Sequence, residues 1–132
     1  MEVFRCAAAN AGINPQDVFF AEAHATGTKV GDPIEANAIG SVFGGKHRKI
    51  GPLRLGAVKT NVGHLECAAF MAGLIKSALM LDRGTLVPNI NFTTPNPAIR
   101  FDEFVRLKYI VDVNMRRLNP CCWCRICGHN WK

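Results

Sequence analysis

Two short apolar runs in this chain each end in a loop that carries a histidine, and a helical pattern follows each loop. Val18–Ala21 leads to His24, and Leu53–Val58 leads through Lys59 to His64. Short, nearly continuous apolar runs are typical of strands buried on both faces of a parallel sheet. Because the carboxyl ends of parallel strands meet at one edge, the pattern predicts an α/β layered domain with one polar site built by two loops.

The helix after the first histidine loop has an explicit start. Asp32 is suited to the N-cap, Pro33 to the first helical position, and Glu35 lies three residues after the cap. Apolar residues then recur at helical spacing until Gly44 and Gly45. The sequence therefore predicts a helix that is capped by Asp32 and begins at Pro33.

The remaining elements leave the predicted domain incomplete. Residues 2–11 have the pattern of a helix, residues 65–81 form a helix that is apolar almost all round, and Val105–Val111 alternates as a last strand. A helix of that kind belongs in the centre of a larger core. Three strands are too few to cover it, so we expect this chain to be part of something larger.

Composition excludes several classes of protein. A chain of 132 residues with 48% hydrophobic content fits one globular domain. The net charge of +6 lies mostly in Asn114–Lys132, which has four basic residues and no acidic one, so the body lacks the clustered basic face of a nucleic-acid-binding protein. No apolar run reaches membrane-spanning length and the first residues do not resemble a signal peptide. We expect a cytoplasmic protein with no nucleic-acid or membrane partner.

The cysteines divide the chain near residue 113. Cys6 and Cys67 stand alone in apolar settings, where cysteine usually behaves as a small buried hydrophobe. The other cysteines crowd the last residues, which predicts a domain over 1–113 and an irregular, disordered, Cys-rich basic tail over 114–132. Zinc is an alternative for this tail, with four possible ligands: Cys121, Cys124, Cys127 and His129. No separate second C-x-x-C pair follows Cys124 and Cys127, so we expect no metal and favour an altered C-terminus.

His24, His64 and Lys59 are the candidate catalytic residues. His64 is expected to begin a helix, where free N–H groups and the positive end of the dipole favour a neutral imidazole and an anionic ligand. Two neutral imidazoles that donate N–H to one oxygen would stabilise an oxyanion or enolate, and Lys59 adds positive charge. The alternative is that each histidine is structural and that Thr26 and Thr28 are ordinary turn residues.

From about Ala8 to about Lys108 the chain resembles the C-terminal half of a β-ketoacyl synthase of polyketide and fatty-acid synthases. Two stretches, Gly31–Ala36 and Lys59–Glu66, are similar in sequence to multidomain polyketide synthases in particular. The matching stretches come in the family's order and spacing: Glu22–Thr28, Gly31–Ala36, Lys59–Glu66, Pro88–Phe92 and Thr94–Pro97.

The resemblance implies a thiolase-like fold and a decarboxylative Claisen condensation. An acyl group on an active-site cysteine is attacked by the carbanion of a malonyl unit, carried on the phosphopantetheine arm of acyl carrier protein, and no cofactor binds directly. His24 and His64 match the two family histidines, and Lys59 matches the lysine that supports the second of them. Thr26 and Thr28 match threonines that contact the arm. The intact family domain is a homodimer.

This chain also departs from the family pattern. Glycine is usual where it has Ala25, Cys67 and Phe70. The family's nucleophilic cysteine lies in an upstream half, and neither Cys6 nor Cys67 matches its motif. We therefore expect the chain to be inactive alone and to need that N-terminal half. The alternative is a non-catalytic remnant or interaction module that pairs with a ketosynthase partner.

Overall fold

The fold consists of four helices and five short strands within the residues that the structure, a computed structural model, describes: 1–45, 48–101, 108–109 and 113–114. The helices are α1 (Glu2–Asn10), α2 (Gly31–Phe43), α3 (Lys59–Val62) and α4 (Ala69–Arg83). The strands are β1 (Phe20–Glu22), β2 (Arg54–Gly56), β3 (Thr85–Leu86), β4 (Lys108–Tyr109) and β5 (Val113–Asn114). Short 3₁₀ turns cover Pro15–Asp17 and Glu66–Ala68.

Three of the strands form the predicted parallel sheet, in the order β1-β2-β4. Glu22 pairs with Gly56 at the carboxyl ends of β1 and β2. The chain therefore leaves both strands at the same edge, one toward His24 and the other toward Lys59. The parallel arrangement confirms the α/β prediction. β3 and β5 pair separately and antiparallel, and β5 reaches Asn114, across the predicted boundary at 113.

The buried core lies between α2 and the sheet. Ala36 and Ile39 of α2 pack with Leu53 and Leu55 beside β2, and Ala23 and Ile99 complete the cluster. Leu53 is only 1% exposed, and burying a leucine of that kind contributes about 1.5–3 kcal/mol. This packing holds the start of α2 against the end of β1, which is where the first histidine loop lies.

Helix α4 buries one narrow stripe and leaves most of its apolar surface exposed. Ala69, Gly73, Lys76 and Met80 are buried. Six large apolar side chains on the same helix are exposed: Phe70, Met71, Leu74, Ile75, Leu79 and Leu81. The prediction of a helix that needs a larger core is consistent with this exposed surface.

The start of α4 differs from the sequence prediction. The expected helix begins at Leu65, whereas α4 begins at Ala69 and a 3₁₀ turn precedes it. Glu66 has a φ of 45°, in the left-handed region, which a continuous right-handed helix does not contain. β1 is also shifted: it begins at Phe20, and its residues are half-buried, not buried on both faces.

Both isolated cysteines are exposed, so the expectation that they are buried hydrophobes is wrong. Cys67 lies in the exposed 3₁₀ turn before α4, and Cys6 on the outer side of α1 has its thiol 3.8 Å from a Glu2 carboxylate oxygen. The four candidate zinc ligands of the tail lie outside the described residues. Within the described part, no group of three or more His, Cys, Asp or Glu side chains could hold a metal.

None of the described helices is long and apolar enough to cross a membrane.

Candidate active site

The structure brings the three predicted catalytic residues together. The imidazole rings of His24 and His64 have centroids 5.6 Å apart and lie nearly perpendicular, at 87°. Lys59 Nζ is 3.2 Å from His24 Nδ1. One side chain therefore follows β1 and two follow β2, which is the convergence expected where parallel strands end at a common edge.

Lys59 contacts His24, whereas the family resemblance pairs it with His64. The reason lies in the backbone. Lys59 opens α3 directly after β2, next to the end of β1, while His64 lies beyond Gly63, whose φ of 76° turns the chain away from the α3 axis. The lysine is therefore closer in the fold to the histidine of the neighbouring strand than to the one that follows it in sequence.

Hydrogen bonds at both Nδ1 atoms define the tautomers of the two histidines. A lysine ammonium can only donate, so His24 Nδ1 accepts from Lys59. His64 Nδ1 accepts from the backbone N–H of Glu66 at 3.0 Å. A neutral imidazole that accepts at Nδ1 carries its proton on Nε2. Each ring therefore has an Nε2–H group available as a donor.

The helix-dipole argument for His64 is wrong, because no α-helix begins at this residue. His64 lies between α3 and the 3₁₀ turn Glu66–Ala68. The nearby N–H of Glu66 acts on the imidazole directly, as the donor to Nδ1. A specific hydrogen bond therefore replaces the expected dipole as the feature that orients this ring.

Two carboxylates of α2 hold the loop that carries His24. Glu35 accepts from the backbone N–H of His24 at 2.6 Å and from that of Ala25 at 2.8 Å. Asp32 accepts from the N–H of Gly27 at 3.1 Å. The predicted capping box is therefore wrong, since both carboxylates bind the preceding loop and α2 begins at Gly31. Hydrogen bonds to ionised acceptors are roughly twice as strong as neutral ones, so they fix this loop firmly.

Thr28 takes over the role of the expected cap. Its hydroxyl oxygen accepts from the N–H of Gly31, the first residue of α2, at 3.0 Å. A Cβ at Gly31 would lie 2.5 Å from that oxygen, so only glycine permits the approach. Thr26 and Thr28 are both exposed. Their contact with a phosphopantetheine arm stays a prediction.

Sequence reasoning missed Asn89, which joins the loop after β3 to the end of β2. Its side chain accepts from the N–H of Ala57 at 2.8 Å and donates to the carbonyl of Leu55 at 3.0 Å. These two hydrogen bonds take the place of backbone hydrogen bonds between strands, at the point where the chain leaves β2. Position within the Pro88–Phe92 stretch was the available signal, but nothing in the sequence identified its partners.

An open cavity of about 360 Å³ lies beside His24. His24 and Lys59 line its polar part, and Phe70 and Leu74 of α4 line its apolar part. Phe70 is 75% exposed, so the large side chain at this usually glycine position projects from the helix and does not crowd the core. The cavity combines donors with an apolar wall, as small-molecule sites generally do.

Comparison with known proteins identifies the family of this chain. Residues 1–93 match the family described as "Beta-ketoacyl synthase, C-terminal domain". The chain is 54% identical over 93 residues to probable polyketide synthase 17 of Dictyostelium discoideum, covering 70% of this chain and 4% of that protein. It is 48% identical over 103 residues to a highly reducing polyketide synthase of Aspergillus terreus, covering 78% of this chain and 4% of that one.

A solved structure extends the similarity to the fold. The ketosynthase from module 1 of the bacillaene synthase of Bacillus amyloliquefaciens FZB42 aligns with a TM-score of 0.76 and 39% identity, over 86% of this chain and 20% of that one. The fold is therefore part of the thiolase-like α/β fold of ketosynthases, and the chain spans only a small fraction of each relative. Because the match includes both histidine loops and the strands that hold them, this chain belongs to the β-ketoacyl synthase family and carries sequence of its C-terminal domain.

Proposed function

We propose that this chain is the anion-stabilising half of a ketosynthase that performs decarboxylative Claisen condensation in polyketide or fatty-acid biosynthesis. The observation that carries the proposal is the histidine pair, in which both Nδ1 atoms already accept a hydrogen bond. Each ring is left with Nε2–H, and the centroids are 5.6 Å apart. Two neutral donors at this separation suit an oxygen that gains negative charge during a reaction.

The proposed reaction needs that oxygen in its first step. The bond between the malonyl carboxylate and the α-carbon breaks, CO₂ leaves, and the electron pair moves toward the thioester oxygen to form an enolate. His24 and His64 donate Nε2–H to this oxygen, and Lys59 holds the tautomer of His24. The enolate carbon then attacks an acyl thioester, forming a carbon–carbon bond while the acyl carbon–sulfur bond breaks.

Acyl carrier protein is the proposed donor of the malonyl unit. Thr26 and Thr28 lie exposed on the loop that begins at His24, and we assign them to the phosphopantetheine arm by their match to the family motif. The hydroxyl of Thr28 already accepts from Gly31, so its O–H proton remains available to a ligand. The arm is a substrate carrier here and is not a resident cofactor.

The second proposed partner is an N-terminal ketosynthase half that supplies the nucleophilic cysteine. The exposed apolar side chains of α4 support this assignment, because apolar surface of this extent marks an interaction site. Phe70 and Leu74 connect that surface to the histidine cavity. A covering half would therefore enclose the site as it buries the helix. The chain alone is then inactive, and the completed domain forms the homodimer typical of the family.

Reconstitution tests the proposal. The chain is co-expressed with a ketosynthase N-terminal half that ends where this chain begins, and two activities are measured separately: acyl transfer to the cysteine and CO₂ release from malonyl-acyl carrier protein. We expect H24A and H64A each to lower CO₂ release by about 10²–10³-fold, as for the loss of one oxyanion donor, while acyl transfer persists. R5A, at an exposed position of α1, is the control.

An interaction module without catalysis is the second candidate, and the same exposed face of α4 favours it. In this case the chain would bind the N-terminal half but add no CO₂ release beyond that half alone. Binding without CO₂ release would therefore refute the catalytic proposal and support the module. A zinc-binding tail is a third and weaker alternative, which metal analysis of the purified chain would refute if it found no stoichiometric zinc.

A further inference from the structure

A buried ion pair lies directly behind the histidine site. Lys76 Nζ is 2.9 Å from Glu22 Oε2, and the two side chains are 8% and 15% exposed. Among the described residues, Lys76 is the only charged or polar residue that is buried. Removing two charges from water costs several kcal/mol per ion, and an apolar pair of similar volume often stabilises a fold as well or better. The pair therefore needs a reason beyond stability.

The second oxygen of Glu22 provides that reason. Glu22 Oε1 accepts from the backbone N–H of Val58 at 2.5 Å. Val58 immediately precedes Lys59, whose ammonium contacts His24 Nδ1. Glu22 is itself two residues before His24 on the other strand. One carboxylate thus connects α4, the start of α3 and the end of β1.

Two glycines shape the space that the carboxylate occupies. A Cβ at Gly56 would lie 2.6 Å from Glu22 Oε2, and a Cβ at Gly73 would lie 3.3 Å from Glu22 Cγ. Gly56 belongs to β2 and Gly73 to α4, so the side chain of Glu22 is enclosed from both elements. Close enclosure of this kind limits the carboxylate to one position.

We propose that Glu22 and Lys76 are positioning residues, which hold α3 so that the Lys59 ammonium meets His24 Nδ1. Lys76 neutralises and orients the carboxylate, and the carboxylate anchors Val58. Loss of the anchor lets α3 move, weakens the contact between Lys59 and His24, and removes the additional bias that this contact gives to the Nε2–H tautomer of His24. The inference rests on the proposed function in one respect only, which is the use of the Nε2–H group of His24 as a donor to the thioester oxygen.

The test reads the tautomer directly in the full chain. Samples labelled with ¹⁵N-histidine give a separate Nδ1 and Nε2 signal for each ring, and His64 is an internal control because its Nδ1 is held by Glu66. Two neutral double variants are compared. E22Q/K76M keeps an oxygen that accepts from Val58, and E22L/K76M does not. K59M shows the pattern of His24 without its donor.

We expect the His24 signals of E22L/K76M to move from the parent pattern toward the K59M pattern, with His64 unchanged. E22Q/K76M should keep the parent pattern. The inference is overturned if E22L/K76M keeps the parent pattern, or if both double variants change His24 equally.

A fourth variant, G73A, decides the question if E22L/K76M does not fold. G73A places a methyl group against Glu22 inside a helix that favours alanine, so the chain should fold. A displaced carboxylate would change the His24 signals, and an unchanged pattern in G73A would overturn the inference. Because no turnover is measured, a failed condensation assay leaves this result unaffected. Unchanged His24 signals, in turn, would remove the positioning role without touching the proposed reaction.

Discussion

Replacing Ala25 by glycine tests whether this chain carries backbone strain at its histidine loop. Ala25 has a φ of 40°, in the region that favours glycine, and its N–H donates to Glu35 at 2.8 Å. The hydrogen bond holds the backbone in place, so the alanine cannot relax without losing it. The family resemblance implies glycine at this position, and the observed φ gives the physical reason.

The expected magnitude follows from three opposing contributions. Relief of the left-handed conformation is worth about 1–2 kcal/mol. Glycine costs about 0.4–1 kcal/mol through the freedom that it adds to the unfolded chain. Ala25 is half-buried against the core, so removing its methyl group costs about 0.4 kcal/mol, half the value of a fully buried methylene. We therefore expect A25G to change the free energy of unfolding by about −0.4 to +1.2 kcal/mol, where a positive value means stabilisation.

A23G is the matched control, two residues earlier. Ala23 is buried at 6% exposure, and its φ is not positive, so glycine there brings only costs, about 1–2 kcal/mol in total. Urea unfolding followed by far-UV circular dichroism measures both variants. The reasoning is refuted if A25G destabilises the chain as much as A23G does.

Three further predictions concern the supports of the site. E35Q should lower the free energy of unfolding by about 1–3 kcal/mol, because its amide NH₂ leaves one loop N–H unpaired; hydrogen exchange of the two amides would rise, and unchanged exchange would contradict it. N89A should cost about 2 kcal/mol by leaving two backbone groups of the β2 end without partners, with N89D intermediate; equal midpoints in urea would contradict this. F70S/L74S should reduce self-association measured by light scattering, because it removes exposed apolar surface of α4. The free energy of unfolding should change by no more than about 0.5 kcal/mol, as is usual for exposed sites. Unchanged self-association would show that this surface does not mediate association.

The candidate catalytic residues could be predicted because the pattern of apolar and polar residues follows directly from sheet geometry. An apolar run that ends in a polar loop marks the carboxyl end of a buried strand, and parallel strands bring such ends together. His24, Lys59 and His64 were identified in this way, and the structure brings all three together. The apolar residues of α4 likewise predicted the surface that it leaves exposed.

Hydrogen bonds from side chains to distant backbone groups could not be predicted. Asp32 and Glu35 have the spacing of a capping box, and the same spacing serves equally well to bind the preceding loop. The choice depends on Thr28, which caps α2 in their place. The partner of Lys59 also differs from the one that the resemblance implies, because it depends on a backbone turn at Gly63 that a sequence pattern does not reveal.

The polar side and the apolar side of the site differ in how their side chains are held. On the polar side, Glu35 accepts from the backbone N–H groups of His24 and Ala25. Glu22 accepts from the N–H of Val58, next to Lys59, so the donors are positioned within this chain alone. On the apolar side, Phe70 and Leu74 are exposed and nothing described covers them. Donors that are already oriented need no reorganisation when charge develops, and this is the main source of oxyanion stabilisation. The proposed N-terminal half would then contribute a thiol and a dry enclosure, while the geometry of the histidines is in place before it binds.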